Sequence, residues 1–263
     1  MSEIINLTWF QVGLGFLALI IPAMILGYYK TGLLKKMGIA VVRLTLQLMF
    51  VGYYLEYVFK WDNPWINLAW IVIMVTASDV ATTDRSEIKR LPLFVPVFIA
   101  TFFGIIIIDL FFLEVVIQLS NVLAAQYAIP ITGMILGNCL RSNVIGVNAF
   151  YYSLKEQRDR YHYYLANGAT QSEALFPFFR EALKKTANPT LASMATVGLV
   201  SLPGMMTGQI LSGSSPMTAI KYQIIIFIAI FSGTIISVFL AILLSNRKVF
   251  NSYNLFDESI LKK

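Results

Sequence analysis

The chain has 263 residues, of which 57% are hydrophobic and only 13% are charged, and its mean hydropathy is +0.71. A soluble domain carries about a quarter of charged residues, so this composition excludes an ordinary soluble protein and predicts a membrane protein. The single cysteine, Cys139, excludes an intramolecular disulfide framework. The net charge of +6 does not indicate a nucleic-acid partner, because the basic residues fall in loops that alternate along the chain.

Seven apolar stretches are long enough to cross a membrane, which takes roughly 20 residues per helix. They lie at about Thr8–Tyr29, Gly38–Phe59, Pro64–Thr82, Leu91–Leu113, Ala128–Leu154, Thr190–Leu211 and Thr218–Leu244. The segment before them, MSEIINLTWF, lacks a basic region and a small-residue cleavage site, so we expect no cleavable signal. The sequence predicts an all-α, seven-span protein of the cell membrane, with one transmembrane domain over residues 1–263.

The basic residues predict the orientation of the spans. Sixteen of the 20 basic residues fall in one alternating set of loops. They are Lys30, Lys35, Lys36, Arg85, Lys89, Arg90, Lys155, Arg158, Arg160, Arg180, Lys184, Lys185, Arg247, Lys248, Lys262 and Lys263. Because cytoplasmic loops are rich in Lys and Arg, the C-terminus is predicted to be cytoplasmic and the N-terminus to lie outside.

Charged residues within the predicted spans are candidates for a transport pathway or for buried structural charges. Asp79 lies near the inner end of the third span, and Asp109 in the outer half of the fourth. Arg141 lies deeper, in the polar run GNCLRSNVIGVN, which should face a protein interior or a wet cavity. A buried ion pair and a pathway lining both stay open for Arg141.

Two pairs of glycines four residues apart predict close helix packing. Gly133 and Gly137 lie in the fifth span, and Gly204 and Gly208 follow Pro203 in the sixth. Small residues at this spacing share one helix face and let two backbones approach, while a proline loosens the backbone hydrogen bonding. We expect spans five and six to pack through these faces, within the chain or across a homodimer axis.

Methionine and cysteine side chains in the same spans suggest a second interpretation, soft metal ligands. Met134, Cys139, Met205 and Met206 are the residues concerned. With ten methionines in an apolar chain, a packing role is the simpler interpretation. The sequence alone leaves any metal-ligating residue unknown, and it indicates no catalytic residue.

About 35 residues between spans five and six, at about 155–189, are expected in the cytoplasm. Asn167-Gly168 is a helix stop, and Thr170 with Glu173 fits a capping box that begins a new helix. That helix is amphipathic, with Phe176 and Phe179 near one face, and it is expected to end at Asn188-Pro189. We expect its aromatic side chains to stay unburied within the chain, either in the headgroup layer or in a groove of a cytoplasmic partner.

Several runs together resemble the Fet-type iron-efflux ABC transporter permeases, whose plant relatives are linked to aluminium tolerance. These runs are IPITGMILGN, LANGATQSEA, ATVGLVSLPGMMTGQILSG and IKYQI. The resemblance implies a permease that pairs with a separate ATP-binding subunit, two copies of each, and moves metal cations outward. It further implies a coupling helix at Gly168, Ala169, Thr170, Glu173 and Ala174, to which the residue pattern adds Phe176 and Phe179. The sequence contains no GxxxxGK[ST] motif, so ATP and Mg would be bound by the partner and this chain is not expected to be an enzyme by itself.

Other functional classes stay as alternatives. One alternative is a seven-span transporter, channel or receptor that works without an ATPase partner. Such a protein would not need the amphipathic helix of the loop at about 155–189. A retinal-type receptor would need a lysine midway along the last span, whereas Lys221 lies at its start. An intramembrane enzyme would need a nucleophile and a base at one depth, and the only histidine, His162, lies in the loop.

Overall fold

The computed structural model describes residues 7–251 and 254–262, and the described chain is helical. The α-helices are α1 Trp9–Gly15, α2 Ile20–Tyr28, α3 Leu34–Trp61, α4 Pro64–Arg85, α5 Arg90–Leu110, α6 Ala125–Glu156, α7 Arg158–Ala166, α8 Gln171–Thr196, α9 Gly204–Leu211 and α10 Pro216–Val249. A 3₁₀ turn at Phe16–Leu19 joins α1 to α2, a π-helical turn at Phe111–Val116 extends α5, and a 3₁₀ turn at Glu258–Ile260 lies near the C-terminus. Lys263 and residues 1–6, which contribute to the orientation and signal expectations, lie outside the described residues.

The chain forms two compact units. The first comprises Met1–Trp61 with Leu211–Gly213, and the second comprises Asp62–Ile210 with Ser214–Lys263. In the first unit the apolar side chains of α1, α2 and α3 are mostly exposed, as Phe10 at 75% and Phe50 at 63% show. An apolar helix surface of this kind is suited to lipid. The single domain predicted over residues 1–263 stays a prediction.

Five helical segments are long and apolar enough to cross a membrane. They are Trp9–Tyr28, Leu34–Trp61, Pro64–Arg85, Leu93–Val116 and Pro216–Val249. They coincide with five of the seven predicted spans, which confirms a multi-pass helical architecture. The fifth and sixth spans, and the orientation of all of them, stay predictions.

The region of the predicted sixth span differs from the expectation in one respect. Helix α8 does not end at Asn188-Pro189; it continues through Pro189 to Thr196. The chain then turns at Val197–Pro203, with Gly198 at a φ of +87°, and resumes as α9 at Gly204. The helix continues through the proline with one hydrogen bond missing, since Pro189 has no N–H to donate to the Lys185 carbonyl. The amphipathic helix and the first half of the predicted span are therefore one continuous rod.

Helices α4, α5, α6, α8 and α10 pack together in the second unit. Glycines allow the closest approaches. A Cβ added to Gly146 of α6 would collide with the side chains of Val238 and Thr186, and one added to Gly233 of α10 would lie 2.9 Å from Ile135 Cγ2. Neither glycine belongs to a predicted packing pair, so the sequence motif did not identify the tight contacts.

Asp62 fixes the start of α6 to the loop before α4. Its Oδ1 accepts hydrogen bonds from the Ala125 backbone N–H at 2.8 Å and from Asn67 Nδ2 at 3.1 Å. Asn67 Nδ2 also donates to the Leu123 carbonyl at 2.8 Å. Because the first N–H groups of a helix have no partner within it, this carboxylate acts as a cap supplied from elsewhere in the chain.

The C-terminal segment binds the ends of α4 and α7. Lys262 Nζ donates to the carbonyls of Thr83, Asp84 and Ser86 at 3.1, 3.0 and 2.6 Å, a cation at the C-terminal end of α4. Arg158 at the start of α7 forms a 3.0 Å salt bridge with Glu258. These contacts gather several of the basic loops at one end of the second unit.

Candidate functional site

A polar cavity of about 450 Å³ lies between α6, the C-terminal half of α8, the start of α9 and α10. Five hydroxyl side chains line it: Ser142, Thr190, Ser193, Thr196 and Ser201. Asn138 and Gln223 add amides, Met134 and Met205 add thioethers, and Arg141 adds the charge. We call this space the polar cavity.

Arg141 lies near the middle of α6, about 24 Å from its first residue and about 22 Å from its last at about 1.5 Å per residue. If α6 crosses the membrane as the sequence predicts, a charge near its middle costs about 2.5–3.5 kcal/mol on insertion scales unless it faces a polar space. The polar cavity is such a space: Arg141 lines it and is exposed there. No salt bridge joins Arg141 to any described residue, which argues against the buried ion pair.

The polar run around Arg141 serves a second purpose. Asn143, two residues on, is fully buried on another side of α6 and donates to Thr101 Oγ1 at 3.0 Å and to Ser237 Oγ at 2.9 Å. Its own Oδ1 accepts from Ser237 Oγ at 3.1 Å. This network ties α5, α6 and α10 together. Sequence reasoning placed Asn143 among the polar residues of the span but missed its partners, which lie 42 and 94 residues away.

The two acidic candidates, Asp79 and Asp109, are buried in the second unit on α4 and α5. Asp109 accepts a 2.6 Å hydrogen bond from the Thr132 hydroxyl of α6. Neither carboxylate lines the polar cavity. In the part of the chain that the structure describes, no three His, Cys, Asp or Glu residues form a group that could hold a metal ion.

The predicted glycine faces do not meet within the chain. A Cβ added at Gly137, Gly204 or Gly208 would have no neighbouring atom within 4 Å, and at Gly133 it would lie 3.1 Å from Met74 Cε. Packing of spans five and six through these faces is therefore wrong for one chain, and contact across a homodimer stays a prediction. Gly204 instead lines the polar cavity together with Pro203.

The four residues named as possible soft metal ligands also lie in different places. Cys139 is fully buried in the apolar core, and Met206 lines a neighbouring apolar cavity of about 480 Å³. Met134 and Met205 do reach the polar cavity. The four sulfur atoms thus lie in different surroundings, and packing accounts for Cys139.

The start of α8 is built as the sequence predicts. Gly168 has a φ of +87° after α7, and the capping box is present in both directions. The Glu173 N–H donates to Thr170 Oγ1 at 3.3 Å, while Glu173 Oε2 accepts from the Thr170 N–H at 2.7 Å. These hydrogen bonds from Thr170 lower the pKa of the exposed Glu173 carboxyl below its ordinary value.

The aromatic residues of α8 are not equivalent. Phe176 is 65% exposed, which agrees with the expectation that it stays unburied within the chain. Phe179 is partly buried, with its ring centroid 4.9 Å from Phe150 and 6.0 Å from Phe239, so the expectation that it stays unburied is wrong. Ala174 is fully buried in the core, which leaves it no surface for a partner.

A groove of about 590 Å³ follows α8 at this end. Its walls are Gln171, Phe176 and Arg180 of α8, together with Phe239 and Arg247 of α10. An exposed aromatic side chain beside a groove flanked by basic residues offers a surface on which a second protein can dock. The described structure is thus a helical membrane protein with an open polar cavity between α6, α8, α9 and α10 and an aromatic groove beside the start of α8.

Comparison with known proteins identifies the family. Residues 9–250 match the model of the Uncharacterised protein family UPF0014, and the chain belongs to this family. The chain is 33% identical over 252 residues to the UPF0014 membrane protein slr1647 of Synechocystis sp., covering 95% of this chain and 96% of that protein. No solved structure gives a significant match.

Two further relatives carry functional names. The Probable iron export permease protein FetB of Escherichia coli is 30% identical over 259 residues, which cover 98% of each chain. The Protein ALUMINUM SENSITIVE 3 of Arabidopsis thaliana is 31% identical over 217 residues, covering 80% of this chain and 76% of that protein. These matches confirm the resemblance seen in the sequence and a multi-pass membrane location.

Proposed function

We propose that this chain is the membrane-spanning permease subunit of an ATP-binding-cassette transporter and exports metal cations such as iron. It works as a homodimer with a separate cytoplasmic subunit that binds ATP and Mg and hydrolyses the nucleotide. The name of the FetB relative supports the cargo and the direction. This chain supplies the pathway and no catalytic residue.

The observation that carries the proposal is the continuity of α8. Its first two turns carry the capping box and Phe176, and its last two turns carry Thr190, Ser193 and Thr196 of the polar cavity. The helix is 26 residues long, about 39 Å at about 1.5 Å per residue. Movement of a docked ATPase at one end of this helix would pass along it to Pro189, where the last two turns can pivot and displace the cavity wall.

Two features favour a movable wall. Pro189 has no N–H, so the Lys185 carbonyl lacks its helical hydrogen bond and α8 can bend there. The Val197–Pro203 turn separates α8 from α9, so the two helices need not move together. Binding of ATP at the partner would therefore reshape the cavity from this side.

Copurification tests the proposal. The full-length chain, tagged and expressed in its own cells, should bring down a cytoplasmic ATPase encoded beside its gene. Vesicles that contain both subunits should take up or release a metal from a panel that includes iron in an ATP-dependent manner. Recovery of the correctly inserted chain without any ATPase would favour a channel or receptor that works alone.

A substitution pair tests the docking surface. Phe176→Ala should lower permease-stimulated ATPase activity, because loss of an aromatic anchor typically weakens an interface by about 2 kcal/mol, roughly 30-fold. Thermal unfolding of the purified chain should stay nearly unchanged, since Phe176 is exposed. The buried neighbour Phe178→Ala is the control for packing loss and should destabilise the fold by about 3–5 kcal/mol. If the Phe176→Ala chain still stimulates the ATPase normally, α8 does not form part of the interface with the ATPase.

A further inference from the structure

The polar cavity has an unusual balance of charge for a protein proposed to move metal cations. Arg141 contributes a positive charge, and neither an Asp nor a Glu is among the described residues that line the space. The polar groups present are mainly hydroxyls and amides. Their O–H and N–H groups bind anions as readily as their oxygen atoms bind cations. An unpaired guanidinium repels a bare divalent cation and attracts carboxylate and phosphate groups.

The start of α9 adds a second source of positive potential. Pro203, Gly204 and Met205 line the cavity, and Gly204 begins the helix. The first N–H groups of a helix have no partner within it, and the helix dipole makes this end positive. A Cβ added to Gly204 would meet no atom within 4 Å, so a ligand can approach the backbone closely here.

The opposite helix end beside the cavity has two of its last four carbonyls occupied by the chain itself. The C-terminus of α8 also borders the cavity, at Thr196 and Val197. However, the Ser193 carbonyl accepts from the Val197 N–H at 3.0 Å, and the Thr196 carbonyl accepts from the Val200 N–H at 3.0 Å. These carbonyls are already used by the turn, so they are poor ligands for a cation.

Gln223 of α10 provides an independent sign of a missing ligand. Its side chain lines the cavity and is only 8% exposed, and its Oε1 has no hydrogen-bond partner among the described residues. A buried amide oxygen without a partner costs about as much as a lost hydrogen bond, so a polar group from solvent or from a ligand is expected beside it. By rotation, the amide can present its NH₂ donors to an anion.

We propose that the polar cavity binds a small oxyanion-bearing solute, a carboxylate or a phosphate, between Arg141, the start of α9 and Gln223. A lipid headgroup is an unsuitable source of this chemistry, because Arg141 lies about 22–24 Å from both ends of α6. If the chain exports metal as proposed above, the metal crosses as a complex with an anionic chelator, whose charge Arg141 offsets. This extension rests on the proposed function, whereas the anion site itself does not.

The test is calorimetric titration of the purified full-length chain in lipid-free detergent, without any ATPase. The probes are citrate, inorganic phosphate and Mn²⁺ alone. Citrate, phosphate or both should bind, and Arg141→Gln should weaken that binding by about 10-fold or more, the effect expected for one charge-assisted hydrogen bond. Binding of citrate alone identifies a carboxylate site, and binding of phosphate alone a phosphate site.

Matched variants separate recognition from folding. Arg160→Gln removes the same charge from α7, outside the cavity, and should leave anion binding unchanged. Arg141→Lys keeps the positive charge but lacks the planar guanidinium, so it should retain part of the anion binding. This variant keeps the test valid if Arg141→Gln folds poorly. Anion binding that is absent, or equal in wild type and Arg141→Gln, would overturn the inference. So would Mn²⁺ binding that tightens when Arg141 is removed.

The two proposals fail separately. If no ATPase copurifies but citrate still binds in an Arg141-dependent manner, the transporter assignment falls and the anion site stands. If an ATPase copurifies and metal is exported while no anion binds, the transporter stands and the anion site falls.

Discussion

Individual residues divide into those that hold the second unit together and those that face its cavity. Asn143 and Arg141 lie two positions apart on α6, yet one is buried in a closed hydrogen-bond network and the other lines the polar cavity. On an α-helix, two positions apart corresponds to about 200° of rotation, so neighbours in a polar run face opposite sides. The run GNCLRSNVIGVN therefore contributes to two surfaces of α6, one that packs against other helices and one that lines the polar cavity.

Asn143→Ala tests the structural surface. It removes three hydrogen bonds from the shared buried network with Thr101 and Ser237, and membrane hydrogen bonds average about 0.6 kcal/mol each. We expect the free energy of unfolding to fall by about 2 kcal/mol, measured by thermal unfolding in detergent. Asn138→Ala is the control, because Asn138 Nδ2 donates to Met134 of its own helix, and its effect should be small. Equal losses for both variants would contradict the assignment.

Among whole elements, α6 is organised by contacts that its sequence motif does not mark. The GxxxG pair Gly133 and Gly137 suggested the packing face, but the tight contact is at Gly146, against α8 and α10. A GxxxG motif specifies a flat helix face without specifying its partner. A single glycine opposite Val238 and Thr186 is sufficient when the facing helices approach at that point.

A pair of glycine substitutions follows from this geometry. Gly146→Ala should destabilise the chain by about 1–3 kcal/mol, since the new methyl group collides with two side chains from different helices. Gly137→Ala should be neutral or stabilise by about 0.5–1 kcal/mol, because alanine favours the helix and meets no atom. Chemical or thermal denaturation of the purified variants measures both. A destabilised Gly137→Ala that also loses a dimer on size exclusion would instead place Gly137 at a homodimer contact.

Helix α8 joins one end of the second unit, with its basic loops and aromatic groove, to the polar cavity. The C-terminal segment strengthens that end, since Lys262 binds the end of α4 and Phe256 stacks on Tyr151 with ring centroids 5.9 Å apart. The positive-inside rule predicts that this end is cytoplasmic. An ATPase could reach the groove only if that orientation is correct.

Cysteine labelling tests the orientation without removal of the native thiol. Cys139 is fully buried, so a membrane-impermeant maleimide should not label the wild-type chain. Ser172→Cys at the start of α8 should be labelled only from the cytoplasmic side, and Asn121→Cys before α6 only from outside; both positions are exposed. Labelling of the two variants from the same side, or from reversed sides, would contradict the predicted topology.

The features predicted correctly from the sequence are those that depend on local patterns. The five apolar helices, the stop at Gly168 and the capping box of Thr170 and Glu173 follow from residues close together in the chain. Hydrophobic length and backbone capping act within a helix or a turn, so no distant partner is needed to recognise them. The family, too, is evident from short runs such as LANGATQSEA.

The tertiary structure decided which side of each helix has a partner. Burial of Phe179, the contacts of Asn143 and Gly146, and the exposure of Arg141 to a cavity all depend on residues tens of positions away. The continuation of α8 past Pro189 was not predicted either, since the local signal indicates an end there. Helix periodicity identifies a face, but only the packing of neighbouring helices determines whether that face meets lipid, protein or a water-filled space.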